Sequence, residues 1–224
     1  FFNPSRNLQT HYTTRAIFSL PGTPENRFNN LLVYLPLNYH DFGRDVGEMI
    51  DIRDLGNNRV MFRFEHGLYM DNVYAAVDTS GSKAVLGTGI LFNTKPQRLN
   101  RTDGGHSGSS AQWAFNNTPF GAFFIDGERD SVYQFGESLN VISENDMSEW
   151  FSNNLSLRIL KDFPFLKYYD NPANPEGVGY SSVWDDKGKM WILTKVDYEL
   201  LDKTIASHFS LGDDGELLYN GSKV

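Results

Sequence analysis

A mainly β protein, assembled from antiparallel hairpins with one short inserted helix, is what the sequence predicts, and three observations predict it. Aromatic residues fill 14% of the 224 positions, as 17 Phe, 11 Tyr and 4 Trp, and large flat side chains suit pleated, half-buried surfaces. The 20 glycines, with frequent Asn and Asp, suit a chain that turns often. An apolar strand, an acidic turn and an aromatic return strand also recur: 123–126 into 132–135, 182–185 into 190–193, and 209–211 into 217–219, with 50–54 into 60–64 as a weaker fourth.

The recurrence has a physical basis. Asp and Gly close tight turns, and alternating aromatics bury one face of each hairpin. One hairpin is marginal alone, so such units must stack. Stacked units with uneven insertions predict a β-propeller-like domain; a β-sandwich, in which similar hairpins recur, is the alternative.

Residues 1–30 are polar and rich in turn formers, among them Pro4, Pro21, Gly22 and Pro24, and read as an entry segment with a short strand over 15–20. The β-rich domain is expected over 31–224, incomplete at its C-terminal end. Residues 31–37 form an apolar run of strand length that ends near Pro36. Residues 47–54 and 59–64 follow as two strands about the turn Gly56-Asn57-Asn58. Val60, Phe62 and Phe64 alternate with Arg59, Met61, Arg63 and Glu65, the pattern of a half-buried strand. Two further strands are expected near 68–73 and 84–91.

Residues 98–110 contain Asp103-Gly104-Gly105-His106-Ser107-Gly108-Ser109 and read as the most flexible loop of the chain. Strands follow over 112–115, 122–126 and 131–135, with turns at 117–119 and 127–130. The inserted helix is expected over 144–154. Ser143 and Asp146 resemble a capping box, and Met147, Trp150, Phe151 and Leu155 follow at helical spacing. After a long turn over 171–177, strands at 180–184 and 190–194 flank Asp185-Asp186-Lys187-Gly188. Strands at 208–211 and 216–219 flank Gly212-Asp213-Asp214-Gly215.

The formal net charge of −8 comes from 28 acidic and 20 basic residues in no single block. Such a surface repels phosphate backbones and anionic membranes. The absence of cysteine excludes a disulfide framework and thiolate metal ligands. The chain opens at Phe1 and closes at Val224, just past Asn220-Gly221-Ser222, and a longer parent chain is expected.

No catalytic, cofactor-binding or metal site is assigned from the residues. Asp126, Asp130, Asp185, Asp186, Asp213 and Asp214 all fall at expected hairpin turns, where Asp bonds local backbone, whereas a glycosidase needs two facing carboxyls. His106 and Ser107 lack a phosphate-loop or nucleophile-elbow context. His11, His40, His66, His106 and His208 are scattered, without metal-ligand spacing. Trp113, Trp150, Trp184 and Trp191 are read, with Phe124 and Phe151, as packing anchors, the rival reading being a sugar-stacking platform. The glycosylation-type triplets at Asn100, Asn116, Asn154 and Asn220 are short enough to arise by chance.

Two segments carry a family resemblance. One begins Gln112-Trp113-Ala114-Phe115-Asn116-Asn117-Thr118-Pro119-Phe120-Gly121 and runs through 122–126, 131–135 and 141–143 to 147–155. The other is Gly179-Tyr180-Ser181-Ser182-Val183-Trp184-Asp185 followed by 192–198. Together they resemble the stabilisation, or tail muzzle, proteins of crAss-like bacteriophages that infect gut Bacteroidales, with a weaker match at 26–38 and 47–65. The resemblance implies a non-enzymatic virion protein at the distal end of a short tail. It implies a homo-oligomeric ring that contacts other tail proteins and passes DNA through its channel without specific binding, with host-surface contact as an option. Two other functions follow from the residues: a glycan-binding β-propeller, and a glycoside hydrolase fragment.

Overall fold

The computed structural model describes residues 11–20, 27–73, 75–79, 82–86, 91–92, 94–99, 107–163, 170–174, 177–198, 209–211, 217–219 and 222–223. In chain order the elements are β1 (Arg15–Ile17), α1 (Arg27–Leu31), β2 (Tyr39–Asp41), β3 (Met49–Gly56), β4 (Arg59–Phe64), β5 (Leu68–Asn72), β6 (Ala75–Thr79), β7 (Ser82–Leu86), β8 (Gln97–Leu99), β9 (Phe115–Thr118), β10 (Gly121–Asp126), β11 (Ser131–Phe135), β12 (Leu139–Val141), α2 (Ser148–Asn154), α3 (Arg158–Asp162), β13 (Gly179–Asp185), β14 (Met190–Val196), β15 (Phe209–Leu211), β16 (Leu217–Tyr219) and β17 (Ser222–Lys223). The protein is mainly β, and every named strand pairing is antiparallel.

Two four-stranded sheets dominate. One has the order β3-β4-β5-β8, with the β6-β7 hairpin inserted before its last strand; the other is the meander β9-β10-β11-β12. They pack face to face through Leu55, Met61 and Leu68 on the first and Phe115, Phe124, Tyr133 and Phe135 on the second. Each sheet is covered on its other side as well. Phe62 and Phe64 pack under the β1-β2 hairpin with Ala16, Phe42 and Val46. Ile125 and Val132 pack against Leu155, Leu157 and Tyr180 from the helical segment and β13. The result is a stack of layers laid down in chain order: the β1-β2 hairpin, the β3–β8 sheet, the β9–β12 sheet, then α2, α3 and the β13-β14 hairpin.

Burial on two faces explains the run Phe123-Phe124-Ile125, since a strand covered on both sides loses polar alternation. It also corrects the reading of β4. Val60, Phe62 and Phe64 do share a face, but Met61 and Arg63 on the opposite face are fully buried too.

The turns obey local chemistry. Gly56, Asn57 and Asn58 all have positive φ, at 72°, 52° and 60°, the left-handed geometry that Gly and Asn adopt at least cost in a tight hairpin. In β10-β11, Asp126 Oδ1 accepts the N–H of Glu128 at 3.1 Å, and Asp130 takes φ 54° before the return strand. In β13-β14, Asp185 Oδ1 accepts the N–H of Lys187 at 2.9 Å, and Lys189 takes φ 53° at the equivalent position. Two of the recurring hairpins therefore close by the same turn. The turn containing Asp213 and Asp214 lies outside the described residues.

Several expected elements move. Residues 31–37 are not a strand. The N–H groups of Leu32, Val33 and Asn38 bond back to Asn29, Asn30 and Leu35, forming local turns, and Pro36 offers no N–H to a ladder. The expected capping box is absent because Ser143 Oγ accepts the N–H of Val132 at 3.0 Å, tying the segment to β11. A 3-10 turn spans Ile142–Glu144, and α2 starts only at Ser148. Two more short helices, α1 and α3, accompany it. Within the expected mobile loop, Ser107, Gly108 and Ser109 are buried, and Ser109 N–H donates to Phe64 O at 3.0 Å; His106 and residues 100–105 lie outside the described residues.

Candidate functional site

The candidate carboxylates separate into local roles. Asp126 is 3% exposed, and its Oδ1 also accepts the N–H of Arg129 at 3.3 Å. Burial, then the nearby Glu128 charge, pushes its pKa up to about 6, with Arg129 and the two backbone donors acting against that rise. Asp185 serves its own turn, as above, and Asp186 pairs with Lys189 at 2.7 Å. Asp126 and Asp130 close one turn while Asp185 and Asp186 sit in another. Among the described residues no three His, Asp or Glu side chains are grouped so as to hold a metal ion.

A half-buried carboxylate, Asp170, links segments from two layers. It accepts the N–H of Tyr180 at 3.0 Å and of Trp113 at 3.4 Å, and burial raises its pKa. Sequence reasoning missed it because its partners are distant in the chain. Tyr180 is fully buried, and its hydroxyl donates to Leu155 O at 2.5 Å.

The aromatic candidates do not form one platform. Phe124 is fully buried between the sheets. Trp184 and Trp191 are cross-strand partners set against the β9–β10 region. Trp191 stacks on Phe123 at 5.6 Å and donates Nε1–H to Asn116 Oδ1 at 2.9 Å; Trp184 meets Phe120 edge-on at 5.7 Å. These act as anchors. Phe151 packs into the cluster around Tyr180. Trp113 and Trp150 do not act as buried anchors, each being 52% exposed. On α2 the inward face is therefore Phe151 and Leu155.

An open groove of about 650 Å³ borders the β1-β2 hairpin, lined by Tyr12, Arg15, Asp41, Arg44 and Glu48 among others. Arg15 donates to both carboxylate oxygens of Asp41, at 2.6 and 2.7 Å. Its guanidinium also lies 3.9 Å from the Tyr12 ring and 4.0 Å from the Tyr39 ring. One face of each tyrosine ring is thus engaged by the same cation.

The most distinctive surface is apolar. Leu32 is 80% exposed and Leu37 84%, with Val33, Tyr34 and Leu35 exposed between them and Ile17 and Tyr39 beside each other on the β1-β2 hairpin. At the other end of the stack, Val183, Met190 and Ile192 are exposed on the β13-β14 hairpin. Contiguous exposed apolar side chains of this kind mark contact surfaces. Among the described residues no helix is long and apolar enough to cross a membrane. No family model matches the chain, and no curated protein matches it.

Proposed function

We propose that this chain is a non-enzymatic structural subunit of a virion, part of the distal tail of a short-tailed crAss-like phage. It packs against copies of itself in a ring around the DNA channel and against other tail proteins. The observation that carries the reading is the exposed apolar surface at both ends of the layer stack, residues 31–37 with Ile17 at one end and Val183, Met190 and Ile192 at the other. A subunit that joins front to back uses two different surfaces, and repeating that contact closes a ring. The net charge of −8 is compatible with a wall that lets DNA pass without gripping phosphates.

The finer fold belongs to the same proposal. Two four-stranded antiparallel sheets, stacked face to face in chain order and separated by insertions, are read as successive blades of a propeller-like domain. The reading is tested by peptide mass spectrometry of density-purified particles. Stoichiometric recovery of this sequence is expected. Abundance in the lysate with absence from particles overturns the proposal.

A second reading, a host-surface glycan-binding module, draws on the exposed Trp113 and Trp150. It requires oligosaccharide binding that Trp113→Ala or Trp150→Ala abolishes, measured by calorimetry on the whole chain.

A further inference from the structure

The sheet edges of this protein are protected unequally. β8 and β12, at the edges of the large sheets, are three residues long. β3 is long, but its pairing with β4 breaks register twice, between Met49 and Asp51 and between Asp54 and Gly56. β9 is flanked by the β13-β14 hairpin, with Asn116 accepting from Ser182 Oγ and Trp191 Nε1. Short strands, bulges and covered edges are the usual ways of preventing edge-to-edge association.

Among the described residues β14 has none of these. It runs seven residues, Met190–Val196, in unbroken register with β13, and among the described residues it pairs with no other strand. It contains neither Pro nor Gly. Its one charged residue, Lys195, is drawn away from the edge. The ammonium donates to Asn154 O at 2.8 Å and Ser156 O at 3.0 Å. Met190 and Ile192 are exposed beside Val183, the cross-strand partner of Ile192.

We propose that β14 is a self-association edge, pairing antiparallel with β14 of a second copy of this chain about a two-fold axis at Leu193. The occupant follows from the sequence of the strand itself. Centred on Leu193, Met190 faces Val196, Ile192 faces Thr194 and Trp191 faces Lys195. Just beyond the strand, Lys189 faces Asp197. Opposite charges are set facing each other at both ends of the pairing, a favourable cross-strand arrangement. Moving the axis to Ile192 or to Trp191 breaks the Lys189–Asp197 pairing. The pairing also converts two two-stranded sheets, each marginal alone, into one four-stranded sheet with a continuous apolar face. This two-fold contact uses the strand edge and is distinct from the front-to-back contact proposed for the ring, leaving the outward face of Val183, Met190 and Ile192 open to that contact; it rests on the self-assembly reading for the identity of the partner.

The test is sedimentation analysis of the full chain up to about 100 µM, with Ile192→Lys as the variant. Ile192 faces solvent, and an unchanged melting curve shows that the variant folds. A self-associating wild type is expected, with association weakened at least about tenfold in the variant. Register is read by mixing the single variants Ile192→Cys and Thr194→Cys in this cysteine-free chain. Mild oxidation is expected to give the mixed disulfide in preference to either homodimer. Association unaffected by Ile192→Lys overturns the β14 contact and leaves the assembly reading standing. A wild type monomeric throughout overturns the β14 contact and removes self-assembly of this chain with it. A monomer in which the β14 amides that point away from β13 resist hydrogen exchange overturns the proposal by showing that a segment of the same chain covers the edge. Preferential homodimer disulfides overturn the register.

Discussion

Arg63 and Asp51 are cross-strand partners on β4 and β3, and their side chains form an ion pair of 2.9 Å from Nη1 to Oδ2 at the seam of the two large sheets. Arg63 is fully buried. Its Nη2 donates to Ser109 Oγ at 2.6 Å and Ala111 O at 2.8 Å, and its guanidinium lies 5.1 Å from the Phe115 ring. Burial lowers its pKa to about 10 despite the carboxylate, so it remains charged at neutral pH. One cation thus joins the first sheet, the 107–112 segment and the second sheet.

Removing only the carboxylate leaves the cation buried without its counter-charge. Asp51→Ala is expected to cost about 3–5 kcal/mol, the range for breaking a buried pair. Arg53 also bonds Asp51, at 2.8 Å, and loses that partner in the same variant. The double change Arg63→Met with Asp51→Leu should cost less than Asp51→Ala alone, because the buried cation is removed together with its carboxylate. Urea denaturation of the three proteins checks the ordering. A double variant as unstable as the single one would show that geometry, and not charge burial, sets the cost.

Gly108 is the point at which the connecting segment crosses β4. A Cβ there would overlap the carbonyl oxygen of Glu65 and approach the backbone of His66. Neither neighbour is a flexible side-chain end, so the backbone must shift. Gly108→Ala is expected to destabilise by roughly 1–3 kcal/mol, the usual cost of overpacking. Thermal melting measures it. Gly136→Ala is the control, since a Cβ there meets nothing.

The helix at 148–154 and its C-terminal boundary set a buried apolar residue beside an exposed one. Leu155, at its C-terminal boundary, is 3% exposed within the Ile125–Val132–Tyr180 cluster, whereas Trp150 is 52% exposed. Leu155→Ala should cost about 2–5 kcal/mol, and Trp150→Ala about 1 kcal/mol or less, as for a surface substitution. Chemical denaturation separates the two. Equal losses would mean that Trp150 is covered in solution, by a partner or by another copy.

That contrast shows which features were legible in the sequence. β10, β11, β13 and β14 were legible because turn chemistry and strand pattern agree: Asp126 and Asp185 occupy the same place in the same turn. Residues 31–37 were not, because an apolar run resembles a strand whether or not another strand lies beside it. Here local turns take up several of its backbone bonds, and the side chains face outward. Arg63 was misread because the two-residue period identifies faces but does not say how many faces are covered. Ser143 was misread because a hydroxyl three residues before an acid resembles a cap until a distant N–H, that of Val132, claims it. The Asp170 contacts with Trp113 and Tyr180 leave no local signature at all.

Asp126 gives the protein a pH dependence whose sign can be worked out. Its pKa is raised from the ordinary aspartate value of 3.8 to about 6 by burial, so between those values the folded state binds more protons than the unfolded state. Stability from this group therefore falls as pH rises from about 4 to about 6, and the cost of burying the carboxylate is fully present above about 6. The shift corresponds to about 3 kcal/mol at most. Asp126→Asn keeps an acceptor oxygen for the N–H groups of Glu128 and Arg129 but cannot ionise. The variant should gain stability over wild type at pH 7, with the gain shrinking toward pH 4. Urea midpoints at pH 4, 5, 6 and 7 measure the slope. A constant difference between the two proteins across that range would mean that Asp126 titrates as an ordinary exposed carboxylate, and that the β10-β11 turn opens enough to hydrate it.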